Sequence, residues 1–187
     1  AFASDQNGNA VLAFVDNHTP YPSLIVAYNR SGTWLTGTLD SGCTSGSYPS
    51  IGATMHDTGS AMVIWQAQCS TSSQVKAAAI SSPSSVSSPT PAIISGSPTQ
   101  TSGASQFPTL ITLSNGFLAT WVRTSDGNVT YETSIWNFTS KTWTTATTFA
   151  TSTAAPYSKY FGERFWTASN GRDQAAILWY EYISGGG

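Results

Sequence analysis

The chain has 187 residues, of which 12% are aromatic and 9% charged, and its formal net charge is −2. Seven Trp, eight Tyr and eight Phe residues can form a sizeable core, which argues against a disordered chain. The balance of charges supplies no basic surface for a phosphate backbone, and no apolar run approaches the ~20 residues that span a bilayer. We therefore expect neither nucleic-acid binding nor membrane insertion.

Four apolar runs recur along the chain, each beginning after a Gly-containing turn and ending at an aromatic residue. The aromatic residues are Phe14, Trp65, Trp121 and Trp179, at spacings of 51, 56 and 58 residues. Self-similarity at such a period is the signature of a repeat protein. The sequence therefore predicts one repeat domain over residues 1–187, with units at 1–47, 48–105, 106–156 and 157–187, the last of them incomplete.

Each unit contains short segments that are rich in β-branched or aromatic residues and are separated by Gly, Ser, Asn, Asp or Pro. The second strand of each unit is the apolar run itself, followed in the first three units by segments such as SLIVAYN, QVKAAAI and NVTYETSIW, and then by TWLTGTL, PAIIS and KTWTTATTFA. Segments of this length and composition predict strands. No apolar pattern with a helical period occurs, so the expected fold is all-β, with four antiparallel strands in each complete unit.

The repeating unit of four short strands, with Trp at a fixed position, resembles a blade of a β-propeller. The segments NRSGTW and FTSKTW, which end at Trp34 and Trp143, resemble the Asp-box turn of sialidase-like propellers, although both lack its Asp and its usual Gly order. The resemblance implies four-stranded blades of about 50–58 residues that are stacked radially, roughly three and a half of them in this chain. It also implies that these two Trp side chains pack between blades.

Residues 81–105 form a tract that is rich in Ser, Thr and Pro. Such a composition is typical of a solvated or O-glycosylated segment. Because repeats continue on both sides of it, we expect a long loop around one strand at the outer edge of the second unit, not a linker between domains.

Cys43 and Cys69 are the two cysteines, and both lie in polar segments where an unpaired buried thiol is hard to place. A disulfide between them is expected, and it would stabilise the fold by roughly 3 kcal/mol. Two unpaired buried thiols are the alternative. His18 and His56 are isolated from each other and from the cysteines, so we expect no metal site, and no cofactor motif occurs.

The surface composition points to a secreted or cell-surface protein. Ser and Thr supply about 55 positions, whereas Lys occurs only three times. Asn-x-Ser/Thr glycosylation sequons begin at Asn17, Asn29, Asn128 and Asn137.

Residues that could support catalysis are sparse. Most of the Asp residues lie in turn contexts, which leaves Glu163 and Glu181, in aromatic-rich strands of the fourth unit, as the carboxylate pair to consider. A sialidase-like enzyme would need several arginines around one site, but the four arginines are scattered along the sequence. We therefore expect a non-enzymatic protein, with a fragment of a sialidase-like glycoside hydrolase as the alternative.

Glycan binding requires exposed aromatic rings together with polar side chains that fix the sugar hydroxyls. Adjacent strands of the third unit carry such residues, and two further Trp residues fall outside the repeated core position. The predicted ligand-binding residues are Trp121, Arg123, Tyr131, Glu132, Trp136 and Trp166. The leading hypothesis is an extracellular module for carbohydrate binding or adhesion, with glycans or a surface protein as its partner.

The competing hypothesis is structural and concerns the last apolar strand, AAILWYEYI, which carries one acid and no Lys. An apolar edge strand without charges invites pairing with another chain. This pattern predicts a self-assembling surface or filament subunit that forms homo-oligomers through the edge of the incomplete unit.

Overall fold

A computed structural model describes residues 1–18, 21–41, 48–69, 72–81, 86, 90–95, 104–125, 128–152 and 165–179. These ranges contain fifteen strands, and Val86 alone has a helical conformation in them. The predicted all-β class is confirmed. Most of the tract 81–105 lies outside the described residues, so its interpretation as a loop stays a prediction.

The first unit is an antiparallel sheet whose four strands pair in chain order. They are β1 (Phe2–Ser4), β2 (Ala10–Asp16), β3 (Ser23–Arg30) and β4 (Thr33–Asp40). Ser31 and Gly32 form the turn between β3 and β4 with φ angles of 54° and 83°. Two positive φ values give a turn whose twist matches that of the flanking strands. The segment NRSGTW is therefore a hairpin turn.

The second unit repeats this arrangement with β5 (Ile51–Met55), β6 (Ala61–Cys69), β7 (Ser72–Ile80) and β8 (Ala92–Ile93). The outermost strand, β8, is only two residues long. Its contact with β7 is extended by Ile94, whose backbone N–H donates to the carbonyl oxygen of Val75, and by Ser95, whose hydroxyl accepts from the Val75 N–H.

The third unit contains β9 (Ala104–Leu113), β10 (Gly116–Ser125), β11 (Asn128–Asn137), β12 (Thr142–Trp143) and β13 (Thr147–Ser152). The prediction of one strand over KTWTTATTFA is wrong, because β12 and β13 both pair with β11 and are separated by residues 144–146. The hydroxyl of Thr144 accepts the backbone N–H of Ile135 at 2.9 Å, where a strand carbonyl would otherwise serve. A side-chain acceptor thus interrupts the regular ladder.

The fourth unit is described as two antiparallel strands, β14 (Phe165–Ser169) and β15 (Ala175–Trp179). Strands of the second and third units form one nine-stranded sheet, but a single parallel pairing, between Ser73 and Ala104, joins β7 to β9. The nine-stranded sheet therefore consists of two antiparallel meanders, and this one described backbone pairing joins them.

The first strands of successive units contact one another: β1 contacts β5, β5 contacts β9, and β9 contacts β14. Hydroxyl groups link the last three of these strands. Thr54 and Thr112 lie 2.7 Å apart between their Oγ1 atoms, and the Ser169 hydroxyl donates to the Thr112 carbonyl oxygen at 2.7 Å. The units are thus arranged in sequence around their first strands.

The turns between first and second strands are alike in three units. They span residues 5–9, 56–60 and 170–174, and in each the backbone N–H of the first residue donates to the carbonyl oxygen of the fifth, at 3.1, 2.8 and 3.2 Å. The first side chain, of Asp5, His56 or Asn170, accepts the backbone N–H of the third residue. The sequence repeat is therefore also a repeat of local structure.

The second strands of the second and third units are buried on both faces, because alternate side chains of a strand point to opposite sides and a neighbouring unit packs on each side. In β6, Val63 and Trp65 pack against the first unit, whereas Met62 and Ile64 pack against the third. We call the face toward the preceding unit the upstream face and the face toward the next unit the downstream face. Three apolar clusters, each between two successive units, form the core.

Candidate functional site

The aromatic residues that end the four apolar runs occupy equivalent positions on the second strands. Phe14, Trp65 and Trp179 are each four residues after the first residue of β2, β6 and β15, and Trp121 has the corresponding place in β10. The side chains of Trp65 and Trp121 are fully buried on upstream faces. The Trp179 side chain lies outside the described part of the chain.

The buried indole of Trp121 is held by a charged pair. Its Nε1 donates to Oε2 of Glu132, the residue opposite it on β11, at 2.8 Å. The other oxygen, Oε1, accepts from Nε of Arg123 at 2.7 Å. The side chain of Glu132 is 7% exposed and that of Arg123 is 29% exposed. The carboxylate therefore satisfies a buried N–H, and the guanidinium balances its charge.

In the second unit, a carboxylate again binds both a buried indole N–H and a cation, but the residues differ. Nε1 of Trp65 donates to Oδ2 of Asp40 at 3.0 Å, and Nζ of Lys76 donates to the same oxygen at 2.8 Å. Lys76 lies opposite Trp65, in the place that Glu132 has in the third unit, and the acid comes from β4 of the first unit. The Asp40 contacts thus join two units.

The structure brings three of the six predicted binding residues together, Trp121, Arg123 and Glu132. Tyr131 lies on the opposite face of the same sheet, beside Val122, and its ring packs against Phe149 at a centroid distance of 6.2 Å. Both predicted aromatic rings on β10 and β11 are buried, Trp121 at 0% and Tyr131 at 3% exposure. Neither ring offers a face to a ligand in this conformation, whereas Arg123 stays partly accessible.

Trp136, the fifth predicted residue, lies at a separate place, beside a cavity of about 200 Å³ between the second and third units. Phe117 and Phe138 line the cavity with it, and their rings meet edge to face at 5.0 Å. Trp136 in turn contacts Trp143 edge to face at 5.7 Å. The side chain of Trp166, the sixth predicted residue, lies outside the described residues.

Gly116 helps to position Phe117 and Trp136, two residues that line this cavity. It begins β10 just before Phe117 and pairs with Asn137. A Cβ atom at this position would overlap the carbonyl oxygen of Trp136. Only glycine therefore permits this approach of the two strands, which explains the Gly in the sequence SNGF.

The cavity rim is polar and comes from both units. Thr58, Ser60 and Ser81 contribute hydroxyl groups from the second unit, and Lys141 contributes an ammonium group from the third. His56 orders this rim, because its Nδ1 lies 3.0 Å from the Thr58 hydroxyl, which donates to the Ser60 hydroxyl at 3.3 Å. Thr58 and Lys141 are exposed. Aromatic walls and a hydrogen-bonding rim suit a ligand that has both apolar faces and hydroxyl groups.

Two of the predicted glycosylation residues cap turns between third and fourth strands. Asn29 Oδ1 accepts the backbone N–H of Gly32 at 3.1 Å, and Asn137 Oδ1 accepts those of Thr139 and Ser140 at 2.8 and 3.1 Å. These bonds use the oxygen and leave the nitrogen that a glycan would occupy. Asn17 is exposed, and the side chain of Asn128 lies outside the described residues.

Several other predicted residues fall where the structure gives no description. Cys43 and the side chain of Cys69 are among them, so the disulfide stays a prediction. The same holds for Glu163 and Glu181. In the described ranges, no group of three His, Cys, Asp or Glu residues could hold a metal ion, and no helix is long and apolar enough to cross a membrane.

No protein-family model matches the chain, and no curated protein matches it significantly.

Proposed function

We propose that this chain is a non-catalytic, extracellular carbohydrate-binding module, built from propeller-like blades, whose ligand site is the cavity between the second and third units. The cavity is the observation that carries the proposal. Sugar rings have apolar C–H faces that stack on aromatic rings, and the cavity offers Trp136 and Phe138 for this stacking. Sugar hydroxyl groups need hydrogen-bond partners, which Ser60 and Lys141 supply at the rim.

The cavity volume limits the ligand. About 200 Å³ is below the range of roughly 300–1,000 Å³ that holds a drug-sized molecule. A single terminal sugar ring fits better than an internal stretch of a polysaccharide. The exposed Lys141 ammonium donates hydrogen bonds and would favour a sugar that carries a carboxylate over its neutral counterpart.

The propeller arrangement draws support from the order of the first strands, each of which contacts the first strand of the next unit. Propeller blades have this order around a central axis. The carboxylates of Glu132 and Asp40 are each bound to a Trp indole and a cation, which favours a structural role for these two acids over a role in glycosidase chemistry.

Fluorescence titration tests the proposed site. A panel of neutral and acidic sugars, chosen from a glycan array, should give a saturable change in tryptophan fluorescence. We expect Trp136→Ala to weaken binding at least about 10-fold, because the stacking surface is lost. Trp34→Phe is the matched control, since Trp34 is 49% exposed and lies outside the cavity, and it should keep the wild-type affinity.

Two results would refute the proposal. One is a folded protein that binds no sugar on the array. The other is a Trp136→Ala variant that binds its sugar as tightly as the wild type does.

A further inference from the structure

The upstream face of the first unit is apolar and exposed. Cross-strand pairing places Phe2 beside Leu12, and Phe14 beside Ile25, on this face. Phe2 is 62% exposed and Phe14 is 40% exposed. Trp34 pairs with Asn29, which alternates with the buried Tyr28, so Trp34 lies on the same face and is 49% exposed.

The same face is covered in the two units that follow. Trp65 and Trp121, the equivalents of Phe14, are 0% exposed because the preceding unit packs over them. Trp143, the equivalent of Trp34, packs against the apolar cluster between the second and third units. In the second and third units the upstream face therefore packs against a neighbouring sheet, whereas no sheet among the described residues covers this face of the first unit.

The second and third units also show which surface covers an upstream face: it is the downstream face of the preceding unit. Ala13 on the downstream face of β2 lies in the cluster with Trp65, and Ile64 on the downstream face of β6 lies in the cluster with Trp121. The equivalent residue of the fourth unit is Leu178 on β15, which is 63% exposed. Phe14 and Leu178 are both exposed in a single chain, so the described strands of the fourth unit do not cover the first unit of the same molecule.

We infer that the upstream face of the first unit binds the downstream face of the fourth unit in a second copy of this chain. Two such contacts, related by a twofold axis, would join two copies head to tail in a closed ring.

The chemistry of the two faces fits this contact. The side chain of Phe14 has no N–H group that needs an acceptor. Ile25 lies opposite it, in the place that the charged residues Lys76 and Glu132 have in the later units. This upstream face therefore needs no carboxylate from its partner, unlike Trp65, which takes one from Asp40. The partner face provides the apolar side chains of Ala176 and Leu178. A contact among Phe14, Ile25, Ala176 and Leu178 therefore buries no charged side chain.

Sedimentation equilibrium of the whole chain, over a wide range of concentrations, tests the inference. We expect the mass of two chains. Phe14→Lys and Leu178→Glu should each weaken self-association by about 100-fold or more, because an interface would have to bury a charge. Ile93→Lys is the matched control, since Ile93 is a 47% exposed apolar residue on the outermost strand of the second unit, and it should leave association unchanged.

Mixing the two variants distinguishes the head-to-tail ring from other dimers. In a mixed ring, one contact pairs the lysine introduced by Phe14→Lys with the glutamate introduced by Leu178→Glu, and the other contact is wild type. An equimolar mixture should therefore dimerise although neither variant does alone. Because both side chains are partly exposed in the monomer, near-ultraviolet circular dichroism should show that each variant is folded.

A wild-type chain that stays monomeric at all concentrations would overturn the inference. So would a dimer that Leu178→Glu leaves intact while Phe14→Lys abolishes it, since that pattern indicates contact between two first units. Failure of the mixture to dimerise would exclude the head-to-tail ring.

Discussion

At the scale of single residues, two buried tryptophans account for the partly buried ion pairs Lys76–Asp40 and Arg123–Glu132. A buried indole N–H needs an acceptor, and a buried acceptor that carries charge needs a cation. The second unit meets both needs with Asp40 and Lys76, and the third with Glu132 and Arg123. The first unit has Phe14 at this position and therefore has no such need.

This account predicts that Glu132 stabilises the fold and does not act in catalysis. Glu132→Gln should lower the free energy of unfolding by about 1–3 kcal/mol, because the amide pairs poorly with the partly buried guanidinium of Arg123. Urea unfolding measures the change, and Asp173→Asn, at an exposed acid, is the control with an effect within about 0.5 kcal/mol. A Glu132→Gln variant as stable as the wild type would contradict this assignment.

The sequence predicts where the aromatic residues recur but not which acids they bind. It groups Trp121 and Arg123 with Glu132 because they lie on adjacent strands, and the structure brings them together through one carboxylate. Their burial is not evident from the sequence, because a binding site and a satisfied core contact require the same residue types. The partner of Trp65 cannot be found in this way, since Asp40 belongs to another unit.

At the scale of strands and turns, the repeat can be predicted in most respects. Short segments rich in β-branched and aromatic residues, together with the turn residues between them, locate most of the described strands, because these signals are local in sequence. The division of the last strand of the third unit is not predictable in this way, since it depends on the Thr144 hydroxyl replacing a backbone acceptor. The cavity cannot be predicted from local sequence for a different reason, since its walls come from two units that are distant in sequence.

One turn also carries a contact between units that depends on pH. The hydroxyl of the fully buried Tyr28 donates to the carbonyl oxygen of Gly59, in a turn of the second unit, at 2.7 Å. Burial raises the pKa of Tyr28 above its usual value, although the positive charge of Arg30 lowers it in part. A raised pKa in the folded state means that the contribution to stability is full below the unfolded-state pKa of about 10 and is lost as the pH rises through the folded-state value.

Tyr28→Phe should therefore lower the free energy of unfolding by about 1 kcal/mol at pH 7, through the lost hydrogen bond. Urea unfolding from pH 7 to 11 should show the wild type losing stability more steeply than the variant above pH 10. Comparing the two proteins cancels the titration of the other tyrosines. Parallel pH profiles for the two proteins would contradict the proposed role of this hydroxyl.

At the scale of the whole molecule, one geometric relation underlies both proposals. Upstream and downstream faces of successive units pack together, and this packing creates the cavity between the second and third units. The same relation leaves an upstream face exposed at the first unit and a downstream face at the fourth. The proposed sugar-binding site and the proposed head-to-tail contact thus depend on the same mode of stacking.

The stacking itself can be tested by cross-linking the first strands of two units. The Oγ1 atoms of Thr54 on β5 and Thr112 on β9 lie 2.7 Å apart, so cysteines at these positions are close enough for a disulfide. Oxidation of the Thr54→Cys, Thr112→Cys double variant should produce this cross-link in the folded protein, as identified by peptide mass spectrometry. The control pair, Thr54→Cys with Thr38→Cys, should not form one. Free thiols at positions 54 and 112 after oxidation would contradict the stacked arrangement.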